Sequence, residues 1–342
     1  MSGFAPSITT VSPSMMMPNI VMQYSMASGA FEILPGGAPE TRIGSSDLMV
    51  YLKYLKMTSQ VQVGQSLPGQ LVSSSIIGGY DQMMTYRIST RSQYSYLDTD
   101  AASSWGYSLP KALQLANRQG HAQQLRTMLL YGAHAENNEG MANSPNAVTV
   151  NLGNDSQGNT GYRTWDSGEL AIFLLDIIAT QKTRMMLLGQ PLKTVVLGPQ
   201  RFIQSIAWTG VVQLTSYQRS GAGSATTGQM IKEIAEDVNG DDIVFAMDDT
   251  LIGKGAGGAD LIMISTPTLK IPEAQQSINT NIFATLTPNE QAVNLMFTDV
   301  AAPTEIPSPM PDGGVTTLYT ERATPGWNLR GEGITLLSAQ YS

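Results

Sequence analysis

The chain has 342 residues, 42% of them hydrophobic and only 13% charged, with 27 acidic against 19 basic side chains and a formal net charge of −8. A globular chain carries about 25% charged residues, so this surface is charge-poor, as surfaces covered by other subunits are. The acidic balance argues against a sequence-reading nucleic-acid binder. The absence of cysteine removes disulfides, thiolate metal sites and cysteine nucleophiles together, and fits a reducing cytoplasm.

Met1 through Phe31 holds no charged side chain; the first is Glu32. Pro6, Pro13 and Pro18 interrupt this stretch, and it has no basic start, so a secretory signal is not expected. Nowhere does the chain offer the roughly 20 apolar residues of a membrane span, and its best run, Leu170 to Ile178, contains Asp176. A soluble protein is expected. An uncharged, proline-broken arm can neither fold alone nor stay well solvated, so it is expected to lie along another subunit and to order on assembly.

Asp47 to Val63 and Ser75 to Tyr96 are rich in β-branched and aromatic residues, with the turn signal Ser66-Leu-Pro-Gly69 between them. They predict one long two-stranded excursion. Tyr86, Ile88 and Thr90 alternate with Arg87, Ser89 and Arg91, the period of a half-covered strand. A long helix is predicted from the N-cap Ser108, with Pro110 in its first turn and a bend at Gly120. Asn151 to Gly161 reads as a polar surface loop, and a second helix runs from a cap at Asp166, with Glu169 at capping-box spacing, to Leu188.

A compact α/β unit follows: strand Lys193 to Leu197, helices Gln200 to Trp208 and Thr227 to Asp237, and strands Ile243 to Met247 and Asp260 to Ser265. Beyond it come a strand-like stretch from Ile282 to Phe297, a proline-rich link from Pro303 to Pro311, and a closing pair of strands, Gly314 to Arg322 and Trp327 to Leu337.

Candidate chemistry dissolves on inspection. Gly253-Lys254-Gly255-Ala256-Gly257-Gly258 lacks the Ser or Thr that a phosphate loop needs after Gly-Lys, and a strand rather than a helix follows it, so a β-connection is expected. Ser108-Leu-Pro-Lys111 matches Ser-x-x-Lys, but its companion motifs are missing and Ser108 already has a capping role. Asp237, Asn239, Asp241 and Asp242 around Gly240 miss the EF-hand positions and read as a turn. His121 and His134 lack the spacing of a zinc pair and are expected on the helix surface or at its cap. Met15 to Met17, Met185 and Met186 suit adaptable packing. No catalytic, cofactor-binding or metal residue is therefore assigned, and no cofactor.

The order of parts resembles the major capsid protein fold of tailed bacteriophages, shared with encapsulins. The likeness is carried by Ser95-Tyr-Leu-Asp98, Trp105-Gly-Tyr-Ser-Leu-Pro-Lys-Ala112 and Ala116-Asn-Arg-Gln-Gly120 at the entry to the spine helix of the encapsulin-like branch. It continues in Glu139-Gly-Met-Ala-Asn-Ser-Pro145 after that helix, and in Val293-Asn-Leu-Met-Phe297, Gly314-Val-Thr-Thr-Leu-Tyr319, Arg322 and Gly333-Ile-Thr-Leu-Leu337 in the closing strands. Thr324-Pro-Gly-Trp327 and Arg330-Gly331 stand where the family often has Gly-Gly, an apolar residue and Arg-Pro.

The resemblance implies an α+β chain divided into an N-terminal arm (1–46), an extended β-hairpin loop (47–97), a peripheral domain with the spine helix (98–192), an axial α/β domain (193–272) and return strands of the peripheral domain (273–342). It implies a non-enzymatic shell subunit that assembles with copies of itself into hexamers and pentamers around double-stranded DNA. Scaffold, portal and decoration proteins would be further partners, contact with DNA would be non-specific, and no membrane would be involved. The location implied is the virion capsid, after synthesis in the host bacterial cytoplasm. Some members join a loop Lys to a neighbour's Asn; Lys53 and Lys56 lie in the extended loop, but no catalytic Glu or partner Asn is identified, so that chemistry is not carried over. The alternatives are an encapsulin-like cargo compartment and a cytosolic α/β enzyme with its site near Gly253 to Gly258.

Overall fold

A computed structural model of the chain describes residues 28–58, 75–104, 106–165, 167–185, 192–208, 227–270, 292–311 and 313–341. Most of the uncharged arm, the Ser66 to Gly69 turn, the Asp166 cap and much of the stretch from Ile282 lie outside the described residues.

The first two strands, β1 (Met49–Thr58) and β2 (Ser75–Met84), form an antiparallel hairpin that pairs with no other strand among the described residues. The second arm of the excursion is not one strand. It breaks at Thr85, and β3 (Tyr86–Tyr94) leaves the hairpin to join β11 (Thr304–Pro309) and β12 (Val315–Ala323) in an antiparallel sheet of order β11-β12-β3. Alternation decides the partner: Tyr86, Ile88, Thr90, Ser92 and Tyr94 are half-buried while the residues between them are exposed, so β3 needs something to cover one face.

That cover is a helix. After the short α1 (Tyr96–Ser104), α2 (Leu109–Tyr131) lays the stripe Asn117, His121, Leu125 and Met128 on the sheet. The helix continues unbroken through the expected bend at Gly120. Ser108 occupies the N-cap with extended backbone, but its side chain makes no capping bond; Pro110 in the first turn supplies the start signal instead. Gly132, at φ 80°, ends the helix by returning its N–H to the Met128 carbonyl.

The α/β unit is larger than the sequence reading draws it. Its sheet has the order β4-β14-β7-β5-β6, built from β4 (Val148–Asn151), β5 (Lys193–Gly198), β6 (Asp242–Met247), β7 (Asp260–Ser265) and β14 (Ile334–Ala339). The closing strands therefore part company: β12 serves the outer sheet, and β14 inserts between β4 (parallel) and β7 (antiparallel). Two short antiparallel pairs, β8 (Thr268–Lys270) with β9 (Ala292–Asn294) and β10 (Met296–Phe297) with β13 (Trp327–Asn328), complete the described strands.

Both faces of the central sheet are covered, which explains the unbroken apolar runs Val195 to Leu197 and Leu261 to Ile264. On one face Val196, Ile262, Ile264 and Leu337 pack against α3 (Ser167–Arg184), α4 (Gln200–Trp208) and α5 (Thr227–Asn239) through Leu174, Phe202, Ile206 and Ile231. On the other, Val195, Leu197, Met263 and Leu336 meet Leu129 and Leu130 of α2 together with Ala30, Ile33 and Leu34.

The last of these contacts corrects the reading of the arm. Residues 30–33 form a 3-10 turn whose Ala30 and Ile33 are fully buried in the subunit's own core, and Glu40 bridges to Asp299 further on. The described base of the arm belongs to its own subunit. Ala30, Ile33 and Leu34, with Phe31 packed beside them, fill a sheet face that α2 alone leaves open.

Candidate assembly surfaces

The hairpin is fastened at its root and, among the described residues, pairs with no other strand beyond it. The Thr85 N–H donates to the Leu48 carbonyl (3.1 Å), and the Thr85 hydroxyl donates to the Asp47 carbonyl (2.5 Å). From β12, Arg322 Nη1 donates to the same Asp47 carbonyl (2.9 Å) and to Thr85 Oγ1 (3.0 Å). Above this clamp the pairing of Tyr51 with Gln82 and of Lys53 with Tyr80 puts Tyr51, Tyr80 and Met84 on one face. Tyr51 is 58% exposed and Tyr80 65%, their rings meeting edge to face at 5.9 Å. Leu48 and Ile77, both on the opposite face, are 70% and 60% exposed. Among the described residues, large apolar side chains thus stand open on both faces of the ribbon.

The proline-rich link proves to be an edge strand. Every residue of β11 is exposed, and Pro307 and Pro309 stand opposite Thr317 and Val315 at the alternate positions whose backbone nitrogens face away from β12, since the neighbouring Met310 N–H bonds the Gly314 carbonyl. A proline is tolerated there because a missing N–H on the free edge breaks no ladder bond, and it blocks further strand addition.

Beneath the outer sheet, His121 is 2% exposed, which corrects its expected place on the helix surface. Its Nδ1 lies 3.3 Å from Glu321 Oε2 and its Nε2 2.9 Å from Thr90 Oγ1, and its ring meets Tyr319 edge to face at 4.5 Å. Burial pushes the Glu321 carboxyl above its ordinary range, against the pull of His121. His134 sits just beyond α2, edge to face with Tyr86 at 5.8 Å.

A second polar node holds the arm. The Ser28 hydroxyl donates to Asp248 Oδ2 at 2.5 Å, while Asp248 Oδ1 accepts from the Thr250 N–H (2.9 Å) and hydroxyl (2.7 Å), and Arg126 Nε of α2 stands 3.9 Å away. The Gly29 N–H donates to the Met247 carbonyl at 2.8 Å, and a Cβ on Gly29 would come within 3.0 Å of Met247 N, so the strand edge and the chain approach at glycine distance. Nothing in the letters joins Ser28 to a residue 220 positions on. The only trace is Asp248 two residues ahead of Thr250, an Asx-turn pattern.

The Gly253 to Gly258 segment spends its polar groups internally. The Gly253 N–H donates to Asp260 Oδ1 (3.2 Å), that of Gly255 to the Ala259 carbonyl (2.7 Å), and that of Ala256 to Ser338 Oγ (2.9 Å). Between β6 and β7 the chain makes a 3-10 turn at Asp249–Leu251 ahead of the segment and a second at Ala256–Gly258 within it, with positive φ at Gly253, Gly257 and Gly258. Donors that are already engaged form no phosphate cradle.

The aspartates around Gly240 part in the same way. Asp241 is buried, accepts from the Leu192 N–H (2.9 Å) and pairs with Lys182 of α3, while Gly240 turns the chain at φ 68°. Among the described residues no three His, Asp or Glu side chains converge as metal ligands, and no helix is long and apolar enough to cross a membrane. Met185 is buried against Gly333, and Met186 lies outside the described residues. Lys53 and Lys56 fall on β1 opposite Tyr80 and Ile77.

The architecture defines a class. A spine helix on an outer sheet, an α/β unit, a long hairpin and an N-terminal arm together make the major capsid protein fold of tailed bacteriophages, and the chain has that fold along nearly its whole length. Among solved structures, the capsid of Myoviridae Phage XM1 matches 99% of this chain and 100% of its own, with 11% identity and a TM-score of 0.64. The capsid of Cyanophage P-SCSP1u matches with full coverage of both chains, 11% identity and a TM-score of 0.57. That of an empty GTA particle covers 99% and 98%, with 8% identity and a TM-score of 0.55. No protein-family model matches the sequence, and no curated protein matches it.

Proposed function

We propose that the chain is the structural subunit of an icosahedral shell, assembling with copies of itself into hexamers and pentamers around double-stranded DNA in a virion capsid. The observation that carries this is the clamped hairpin with apolar side chains exposed on both faces, borne by a fold shared with phage and GTA capsids. At about 25 cal/mol per Å², each 1,000 Å² of apolar surface that neighbours cover contributes on the order of 25 kcal/mol gross, reduced by the ordering of flexible segments. The division into arm, extended loop, peripheral domain, axial domain and return strands is part of the proposal. It is amended in two respects: β3 goes to the peripheral sheet, and β4 and β14 go to the axial sheet.

Scaffold, portal and decoration proteins are further partners on this reading, contact with DNA is non-specific, and the subunit is made in the host bacterial cytoplasm. The role is structural and not enzymatic. The internally bonded Gly253 to Gly258 segment supports that against a nucleotide site. A thermal-shift series with a nucleotide panel tests the point, since a ligand held by the folded state alone raises its melting temperature. No shift is expected, and a saturable rise with one nucleotide contradicts it. Particles recovered from a lysate and treated with nuclease separate a genome shell, which retains protected DNA, from a cargo compartment, which retains protein.

A further inference from the structure

His121 and Glu321 are set apart from the other ion pairs by their position. They sit at the middle of the contact between α2 and the outer sheet, both buried, at 2% and 9% exposure. The groups facing them are few. From β3 come the Thr90 hydroxyl, bonded to His121, and Ser92, bonded to Asn117 of α2. From β12 comes Tyr319, whose phenol is raised by burial and by the nearby Glu321 charge and is also touched by Arg118 of α2. From β11 comes Glu305, which is engaged by Gln114 of α2 at 2.8 Å. Arg118 is exposed and turned to Tyr319, so inside the contact the imidazole is the group placed to neutralise the carboxylate.

Between them the two side chains hold two, one or no titratable protons. With two the buried pair carries +1, with none it carries −1, and with one it is neutral whichever partner holds the proton. Only the neutral state avoids the cost of an unpaired charge in the interior. Thr90 fits all three states, because a hydroxyl can accept from a protonated Nε2 or donate to a bare one.

We propose that His121 and Glu321 form a proton-operated latch between α2 and the outer sheet, closed while the pair holds one proton and loosened when it gains a second or loses the first. The device acts on one seam. Helix α2 enters the core of the central sheet only near its end, at Leu129 and Leu130, about two turns beyond His121, and the other face of that sheet is covered by α3, α4 and α5, so a change of charge at the pair loosens the contact around His121 while the α/β unit stays folded. It is independent of the shell reading; in a shell it would couple subunit shape to pH.

Native-state hydrogen exchange of the full chain, corrected for the intrinsic pH dependence of amide exchange, tests it between about pH 4 and pH 9. Amides of α2 and β12 are expected to be most protected at intermediate pH and to lose about tenfold protection toward each end, with β5 and β7 unchanged. Glu321→Gln leaves a pair that is neutral once His121 is deprotonated, so its protection should rise steadily with pH. His121→Gln leaves a pair that is neutral only when Glu321 is protonated, so its protection should rise as pH falls. The opposite slopes of the two variants keep the test valid even if either one is less stable overall. The proposal is overturned if wild type and both variants share one pH profile, or if β5 and β7 lose protection in parallel with α2.

Discussion

Arg322 and Asp47 lie 275 positions apart, yet the guanidinium of one donates to the carbonyl of the other at 2.9 Å and reaches Thr85 Oγ1 at 3.0 Å with the same nitrogen. The hairpin is thus a lever whose fulcrum is a residue of the outer sheet. Arg322→Ala removes both bonds and should cost about 1–3 kcal/mol of stability. Exchange of the Thr85 amide, which closes the root on Leu48, should quicken by about tenfold or more. Unchanged exchange at Thr85 would show that strand pairing alone holds the lever.

Tyr51→Ser with Tyr80→Ser strips one face of the hairpin. Exposed aromatics whose ring contact is with each other add little to the subunit's stability, so circular dichroism should be unchanged and the stability from denaturant unfolding should move by less than about 1.5 kcal/mol. Assembly, followed by sedimentation, should fail or weaken sharply. Normal particles from the double variant would remove the hairpin face from the interface.

The arm separates into two lengths with different consequences. Truncation of residues 1–27 spares the Ser28 to Asp248 bond and the buried Ala30, Ile33 and Leu34, so a folded core that does not build stable shells is expected. Ile33→Ala in the full chain opens a cavity in the core and should cost about 2–5 kcal/mol before any assembly step. Equal loss of monomer stability in both variants would contradict this division.

Asp260 sets an acid limit on the α/β unit. Burial raises its carboxyl, but donors outweigh burial and hold it below the usual carboxylate range: Arg201 (Nε at 2.7 Å), the Tyr162 hydroxyl (3.0 Å) and the Gly253 N–H (3.2 Å). A depressed carboxyl contributes its full stability above its unfolded value, about 3.9, and loses it as pH falls through the lower folded value. Asp260→Asn should therefore destabilise on the order of 2 kcal/mol at neutral pH, with a gap that closes below about pH 4. Denaturant midpoints across that range measure it, and a constant gap would assign the effect to packing.

How far the fold was legible follows from where its determinants lie. The α/β unit could be read because its runs, Val195 to Leu197 and Leu261 to Ile264, are buried on both faces and carry their signal locally. Strand partners could not: the alternation of Tyr86, Ile88 and Thr90 marks β3 as half-covered, but nothing local says that it leaves β2 for β12, at Val315 to Ala323. Pro307 and Pro309 read as a link because an edge strand tolerates the residue that a central strand forbids. His121 lies under the sheet and not on the helix surface or at its cap because the acid that permits its burial, Glu321, is 200 residues away and leaves no local signal. The hairpin is legible in outline from its β-branched and aromatic residues, whereas its clamp at Arg322 depends on tertiary contact alone.

Electron microscopy of the purified full chain, alone and co-expressed with its neighbouring gene products, tests the central claim most directly. Closed shells of uniform diameter, built of hexameric and pentameric units with the hairpin of one subunit lying on the next, are the predicted result. A stable monomer under every assembly condition, with Tyr51 and Tyr80 still open to solvent, would contradict it.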